Sequence, residues 1–76
     1  MLIYNMRDKS YNNRLRVVLA EQMKTGKWLA SELGVAEVTV SRWCTNKSQP
    51  SMSQFINIAK VLQVDFVNLI EEANKQ

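Results

Sequence analysis

The chain has 76 residues, of which 46% are hydrophobic, and this length accommodates one small domain. It contains one cysteine and no histidine, which excludes an internal disulfide, a zinc site of paired cysteines and histidines, and a histidine-based catalytic triad. Ten Lys and Arg residues against seven Asp and Glu give a net charge of +3, which permits a polyanionic partner without requiring one. We therefore expect no metal, no other cofactor and no enzymatic activity.

The chain is expected to lie in the cytoplasm without membrane contact. No apolar run approaches the roughly 18 residues that a membrane span needs. The opening segment, residues 1–6, is too short and too polar at its end for a signal peptide. We predict an N-terminal arm over residues 1–11 and a single domain over residues 12–76.

Three helices are predicted in the first part of the domain. The first spans residues 12–23, where Leu15, Val18, Leu19 and Met23 recur at helical spacing. The second spans residues 26–33, after the N-cap residue Thr25 and before Gly34, which can take the positive φ of a helix end. The third spans residues 36–44 and ends before Asn46, which also tolerates the left-handed conformation. Residues 25–44 thus have the layout of a DNA-reading helix-turn-helix.

Two further helices are predicted after the loop that contains Pro50. Residues 51–54 have the spacing of a capping box and open a fourth helix, whose apolar stripe is Phe55, Ile58, Ala59 and Leu62. Asp65 is expected to cap a fifth helix that carries Phe66, Leu69 and Ile70. The predicted fold is an all-α, compact five-helix bundle with a central helix-turn-helix.

Several short motifs resemble the consensus of one known family. They are Leu29-Ala30, Gly34-Val35, Thr39-Val40-Ser41-Arg42-Trp43, Pro50, Ile58-Ala59, Leu62, Val64 and Leu69. Their joint spacing, over residues 13–70, is similar to that of the phage-repressor-like helix-turn-helix family, also called the xenobiotic-response-element family. The resemblance implies a five-helix bundle of the lambda-repressor-like type that binds operator DNA, usually as a dimer.

Three positions depart from the family pattern. Gly26 stands where many members have a glutamine that contacts DNA, so one expected contact is missing. Ala36 stands where a Ser or Thr usually caps the third helix, and Cys44 replaces a common glutamate.

The outer face of the third helix is predicted to read base pairs. With Val40 and Trp43 turned inward, the 100° step of an α-helix turns the intervening residues toward the major groove. There an arginine can donate two hydrogen bonds to guanine, a glutamate can accept one from cytosine, and a methyl group can pack on thymine. The predicted base-reading residues are Ala36, Glu37, Val38, Ser41 and Arg42. Two alternatives stay open: Arg42 is only a solvated arginine, and Glu37 only stabilises the helix dipole.

A second group of residues is predicted to contact phosphates together with the backbone N–H groups that open the second helix. These residues are Thr25, Lys27, Thr39, Asn46 and Lys47. Thr25 is first of all a helix cap, and the alternative for Lys47 is a solubilising loop lysine. Cys44 is expected to be a small, buried or half-buried apolar residue, with a thiol sensor as the alternative. Trp28 either packs against Tyr11 or the N-terminal segment, or lies partly exposed near the DNA backbone.

The sequence therefore predicts a protein that binds double-stranded DNA in a sequence-specific manner, as a transcriptional regulator and more specifically a repressor. The alternatives are a protein-interaction module and the DNA-binding antidote of a toxin–antitoxin pair. We also predict a homodimer, because Phe66, Val67, Leu69 and Ile70 offer more apolar surface than one seam against the bundle covers. Leu2, Ile3 and Tyr4 are expected to add to that surface. The alternative is that all four C-terminal residues pack inside one monomer.

Overall fold

The computed structural model describes residues 11–72, which form four short helices and a two-stranded antiparallel sheet. In chain order the elements are strand β1 (Tyr11–Asn13), helices α1 (Leu15–Glu21), α2 (Gly26–Leu33), α3 (Glu37–Cys44) and α4 (Met52–Leu62), a 3₁₀ helix (Phe66–Leu69) and strand β2 (Ile70–Glu72). This mostly helical architecture agrees with the predicted fold class, whereas the predicted count of five helices is not confirmed. Residues 1–10 of the predicted arm, including Leu2, Ile3 and Tyr4, lie outside the described residues.

Helix α1 begins at Leu15 rather than near Asn12, because Asn12 and Asn13 are extended in β1. This strand pairs with β2 in an antiparallel register. Just beyond it, the Arg14 N–H donates to the Leu69 carbonyl at 2.8 Å. The Asn13 side chain then accepts from the Leu15 N–H at 2.9 Å and so satisfies one free donor of the first helical turn. Pairing between distant segments therefore overrides the helical pattern at this end.

The segment predicted as a fifth helix is a single 3₁₀ turn that runs directly into β2. Asp65 precedes this turn, but its side chain does not cap it, contrary to the prediction. Leu69 is fully buried, so the predicted dimer surface of four residues is wrong at this position, whereas Ile70 is half-buried. Phe66 and Val67 remain exposed, although the Phe66 ring packs edge-on against the core residue Phe55, with ring centroids 5.5 Å apart.

The starts of α2 and α4 are capped as predicted. The Thr25 hydroxyl oxygen accepts from the Trp28 N–H at 2.9 Å. At α4 the Ser51 hydroxyl accepts from the Gln54 N–H at 3.2 Å, and the Gln54 side chain accepts from the Ser51 N–H at 2.7 Å, which completes a capping box. Helix α3 starts one residue later than predicted, with Ala36 at the N-cap and no side-chain hydrogen bond there.

All four helices of the described residues end with a residue in the left-handed conformation. These residues are Met23 (φ 58°), Gly34 (φ 72°), Asn46 (φ 59°) and Gln63 (φ 57°). In each case the following N–H donates to a carbonyl five positions earlier: Lys24 to Leu19, Val35 to Ala30, Lys47 to Arg42, and Val64 to Ala59. The sequence predicted Gly34 and Asn46 in this role. Met23 was expected inside α1, but its left-handed backbone ends that helix early.

The core consists of apolar side chains from every helix and from the turn before β2. Trp43 is 3% exposed, which confirms the predicted inward direction of its ring. The buried apolar residues are Leu15, Val18, Leu19, Leu29, Ala30, Val40, Trp43, Phe55, Ile58, Ala59, Leu62 and Leu69. A core of this size leaves the domain with little stability to spare.

Replacing Trp43 with alanine is expected to lower the free energy of unfolding by about 3–5 kcal/mol, because it leaves a large cavity in a small core. Val38 lies on the same helix and is 63% exposed, so Val38→Ala is the matched control, with an expected change of about 0.5 kcal/mol or less. Urea denaturation of the three proteins checks this. Equal stability of Trp43→Ala and the wild-type chain would contradict the helical phase described above.

The left-handed helix ends give a second prediction, because a side chain in this conformation is strained where glycine is not. Met23 is 91% exposed and loses little packing, so Met23→Gly is expected to raise the unfolding free energy by about 0.5–1 kcal/mol. Met23→Ala keeps the Cβ atom and is expected to bring no such gain. Gly34→Ala has no atom within 4 Å of the new Cβ, so its expected loss of about 1 kcal/mol isolates backbone strain. Thermal denaturation measures all three, and equal stability of the two Met23 variants would refute the strain.

Candidate nucleic-acid interface

Helices α2 and α3 form the predicted helix-turn-helix and pack closely at their crossing. Gly34 ends α2 in the left-handed conformation, and its N–H donates to the Ala30 carbonyl. At the other end of α2, a Cβ built on Gly26 would lie 3.4 Å from the Val40 Cγ1 atom. The first turn of α2 therefore packs directly against α3, and this contact helps to set the position of α3 relative to α2.

Helix α3 has a buried and an exposed face. Val40 and Trp43 lie in the core. The five predicted base-reading residues, Ala36, Glu37, Val38, Ser41 and Arg42, are all exposed. The structure thus places them together on the outer side of one helix, with a carboxylate in its first turn and a guanidinium in its last. Both charges are favourable to the helix dipole. Contact of these residues with bases stays a prediction.

The predicted phosphate contacts fall into two groups by exposure. Thr25, Lys27 and Lys47 are exposed, whereas Thr39 and Asn46 are half-buried. Thr25 and Lys27 lie at the start of α2, and Lys47 lies in the loop after α3. One exposed ammonium group therefore lies in the first turn of α2, and another lies in the loop that follows α3.

The Asn46 side chain is committed to hydrogen bonds within the protein. Its Oδ1 atom accepts from the Asn13 N–H at 2.8 Å and from Gln49 Nε2 at 2.8 Å. Its Nδ2 atom donates to the Asn13 carbonyl at 3.4 Å. Asn46 therefore caps the outer edge of β1 and holds the loop. A phosphate contact by the same side chain stays a prediction.

Asn13 is a central residue that the sequence pattern did not reveal. It is a polar residue with only 5% of its surface exposed. Its Nδ2 atom donates to the Trp43 carbonyl at 2.7 Å and to Gln49 Oε1 at 2.8 Å. These bonds connect β1 to the last turn of α3 and to the following loop. A buried asparagine among polar neighbours leaves no periodic signal, which is why the sequence suggested a helix start here.

The Trp28 side chain is half-buried against the core, and its ring makes a cation–π contact with Lys24. The Lys24 ammonium group lies 4.3 Å from the ring centroid. A cation–π contact at an exposed site contributes about 0.5–1 kcal/mol. Tyr11 is also half-buried against the core. Packing against the core therefore accounts for the burial of the Trp28 ring, and its proximity to a DNA backbone stays a prediction.

Cys44, the last residue of α3, is half-buried, as predicted. Burial raises the pKa of its thiol, since a thiolate is poorly solvated there, and the nearby Arg16 guanidinium acts more weakly in the opposite direction. A raised pKa keeps the thiol neutral and weakly nucleophilic near pH 7. This environment favours the apolar interpretation over a thiol sensor.

The described part of the chain contains neither a candidate metal site nor a candidate membrane-spanning helix. The side chains described there include no group of three or more His, Cys, Asp or Glu residues that could hold a metal ion. Likewise, no helix in this part of the chain is both long and apolar enough to cross a membrane.

Comparisons with known proteins agree with this geometry. The helix-turn-helix family matches residues 15–69, which include all four helices and the 3₁₀ turn. The crystal structure of a "putative DNA-binding protein from Bacteroides fragilis" superimposes with a TM-score of 0.79 at 49% sequence identity. This alignment covers 80% of the present chain and 98% of the other. No curated protein matches the chain.

The family match extends over most of the chain and coincides with the packed unit of α1 to α4. The resemblance deduced from the short motifs is thereby confirmed. The chain belongs to the helix-turn-helix family, of the xenobiotic-response-element type.

Proposed function

We propose that this protein binds double-stranded DNA in a sequence-specific manner and acts as a non-enzymatic transcriptional regulator, more specifically a repressor. The observation that carries the proposal is the exposed outer face of α3, on a helix whose opposite face is anchored by Val40 and Trp43. Membership of the helix-turn-helix family and the similar Bacteroides fragilis protein support it. A protein that acts on chromosomal operators works in the cytoplasm.

In this proposal α3 lies in the major groove, which is about 12 Å wide and admits one helix. Arg42 donates two hydrogen bonds to guanine O6 and N7, and Glu37 accepts from cytosine N4. The Val38 side chain and the Ala36 methyl group pack on thymine methyl groups, and Ser41 completes the reading face. Base contacts of this kind carry the sequence preference.

Phosphate contacts orient the helix in the groove. Lys27 and the N–H groups at the start of α2 grip the backbone on one side, with Thr25 and Thr39 as further contacts. Lys47 grips it on the other side, in the loop that Asn46 opens. These contacts add affinity for any sequence and release counterions, so binding weakens as salt increases.

The protein is proposed to act as a C2 homodimer. One recognition helix buries little DNA surface, and dimers of this class place two such helices about 34 Å apart in successive major grooves. The exposed apolar residues available for pairing are Met52 and Ile56 on one face of α4, with Phe66 and Val67 on the turn that packs against α4. These four residues are the candidate dimer surface of the proposal.

Arg42→Ala is expected to cost about 1–3 kcal/mol on the preferred site and to relax preference at one base pair. Lys47→Ala should weaken all sequences alike and lower the salt slope by about 1. The Arg42 carbonyl keeps its hydrogen bond from the Lys47 N–H in both variants, because that bond is made by the main chain. Lys60→Ala, at an exposed position on α4, is the charge-matched control and should change neither quantity.

The measurement is selection of bound sites from random DNA, followed by titration of the preferred site at several salt concentrations. Equal, sequence-blind losses for the Arg42 and Lys47 variants would refute base reading by Arg42. Absence of any salt-dependent DNA affinity in the wild-type chain would refute the proposed function and favour a protein-interaction module.

The dimer is checked by sedimentation equilibrium at micromolar concentrations, where the wild-type chain is expected to have twice the mass of one chain. Val67→Glu, at a position 69% exposed, should shift this equilibrium toward monomer, since it places a charge on the candidate dimer surface. Val17→Glu introduces the same charge at an exposed position on α1 and should not. A wild-type chain that stays monomeric both free and on DNA, with a footprint of one half-site, rules the dimer out.

A further inference from the structure

We propose that Asn13, although it cannot reach DNA itself, positions the C-terminal end of α3 and the Lys47 loop for DNA binding. This inference rests on the proposed function and adds a positioning residue to it. Asn13 lies in β1, an element that does not belong to the helix-turn-helix. Its side chain is buried, so a direct contact with phosphate or base is excluded.

The first connection is to the recognition helix. Asn13 Nδ2 donates to the Trp43 carbonyl at 2.7 Å, in the last turn of α3, where carbonyl groups lack partners within the helix. The same carbonyl accepts from the Asn46 N–H at 3.0 Å. Asn13 thus connects the C-terminal end of α3 to β1.

The second connection is to the loop that carries Lys47. Asn13 pairs through its backbone N–H and carbonyl with the Asn46 side chain, and through Nδ2 with Gln49. Gln49 in turn donates to Asn46 Oδ1 at 2.8 Å. The residues on both sides of Lys47 and Ser48 are therefore held by one closed ring of hydrogen bonds, which we call the asparagine ring (Asn13, Asn46 and Gln49).

This arrangement has a function beyond stability because binding sites need their contact groups placed to within about 0.5 Å. Without the Asn13 side chain, Gln49 and the Trp43 carbonyl lose their bonds to β1, while the backbone of residue 13 still pairs with Asn46. The loop that carries Lys47 is then held less firmly against the end of α3. Loss of the ring should then resemble loss of a phosphate contact. Affinity falls for every sequence, and the salt slope falls with it.

The test compares Asn13→Ala with Gln22→Ala in the full chain. Gln22 donates through Nε2 to the Leu62 carbonyl at 2.8 Å, so its removal deletes a similar amide-to-carbonyl bond between α1 and α4, away from α3. Both variants are titrated with the DNA selected by the wild-type chain, at several salt concentrations and at a temperature where circular dichroism finds them folded. Asn13→Ala is expected to lose about tenfold in affinity and to lower the salt slope by about 1, whereas Gln22→Ala stays within about twofold.

Gln49→Ala provides a second variant, because it removes one member of the asparagine ring and leaves β1 intact. If Asn13→Ala does not fold, Gln49→Ala is the deciding variant. It is expected to show the same decreases in DNA affinity and in salt slope. Wild-type affinity and salt slope in a folded ring variant would overturn the proposal. Equal losses in Gln22→Ala would overturn it too, since they would reflect stability alone. Failure of the wild-type chain to bind DNA is a different result and refutes the proposed function itself.

Discussion

The buried amide of Asn13 is the interaction on which the two halves of this small domain depend. Its two N–H donors and its oxygen all have partners, in the end of α3, the following loop and the first turn of α1. A buried amide without partners costs about 1–3 kcal/mol, a large share of the stability of a domain of this size. The Asn13 amide is therefore fully satisfied only where these three segments meet. No buried side-chain N or O atom among the described residues lacks a partner.

The helix-turn-helix could be predicted from sequence because short-range rules define it. The Thr25 cap, the left-handed Gly34 and the inward spacing of Val40 and Trp43 each involve residues within one or two helical turns. The two ends of the domain follow a different rule. Asn12 and Ile70 were expected in helices but lie in strands, since pairing between residues 11–13 and 70–72 satisfies backbone groups that a helix would satisfy locally. Such a choice depends on residues that a window of local sequence does not contain.

In the candidate site, too, local sequence predicts some features and not others. The exposure of Arg42 and its neighbours follows from the 100° step of a helix whose inner face is known. The internal hydrogen bonds of Asn46 could not be predicted, because its partner Asn13 is 33 positions away. A loop asparagine beside a lysine is typical of a phosphate contact, and only the fold reveals that its side chain also closes the edge of β1.

The pairing of β1 with β2 also bears on the order in which the molecule assembles. Arg14 and Asn68, which bond beside this sheet, are 54 positions apart, so the closure entropy of a long loop must be overcome before the strands meet. Helices α2 and α3 are joined by a short turn, so their packing closes a much shorter loop, at a lower cost in entropy. When the helices are packed but β1 and β2 are not paired, the turn between α2 and α3 is in place. The Trp43 carbonyl at the end of α3 then lacks its bond from Asn13. Any ligand that binds the completed form of α3 more tightly also favours the closed sheet, by mass action. Protection of the strand amides from hydrogen exchange should therefore increase when a ligand binds the outer face of α3, because both depend on the same equilibrium.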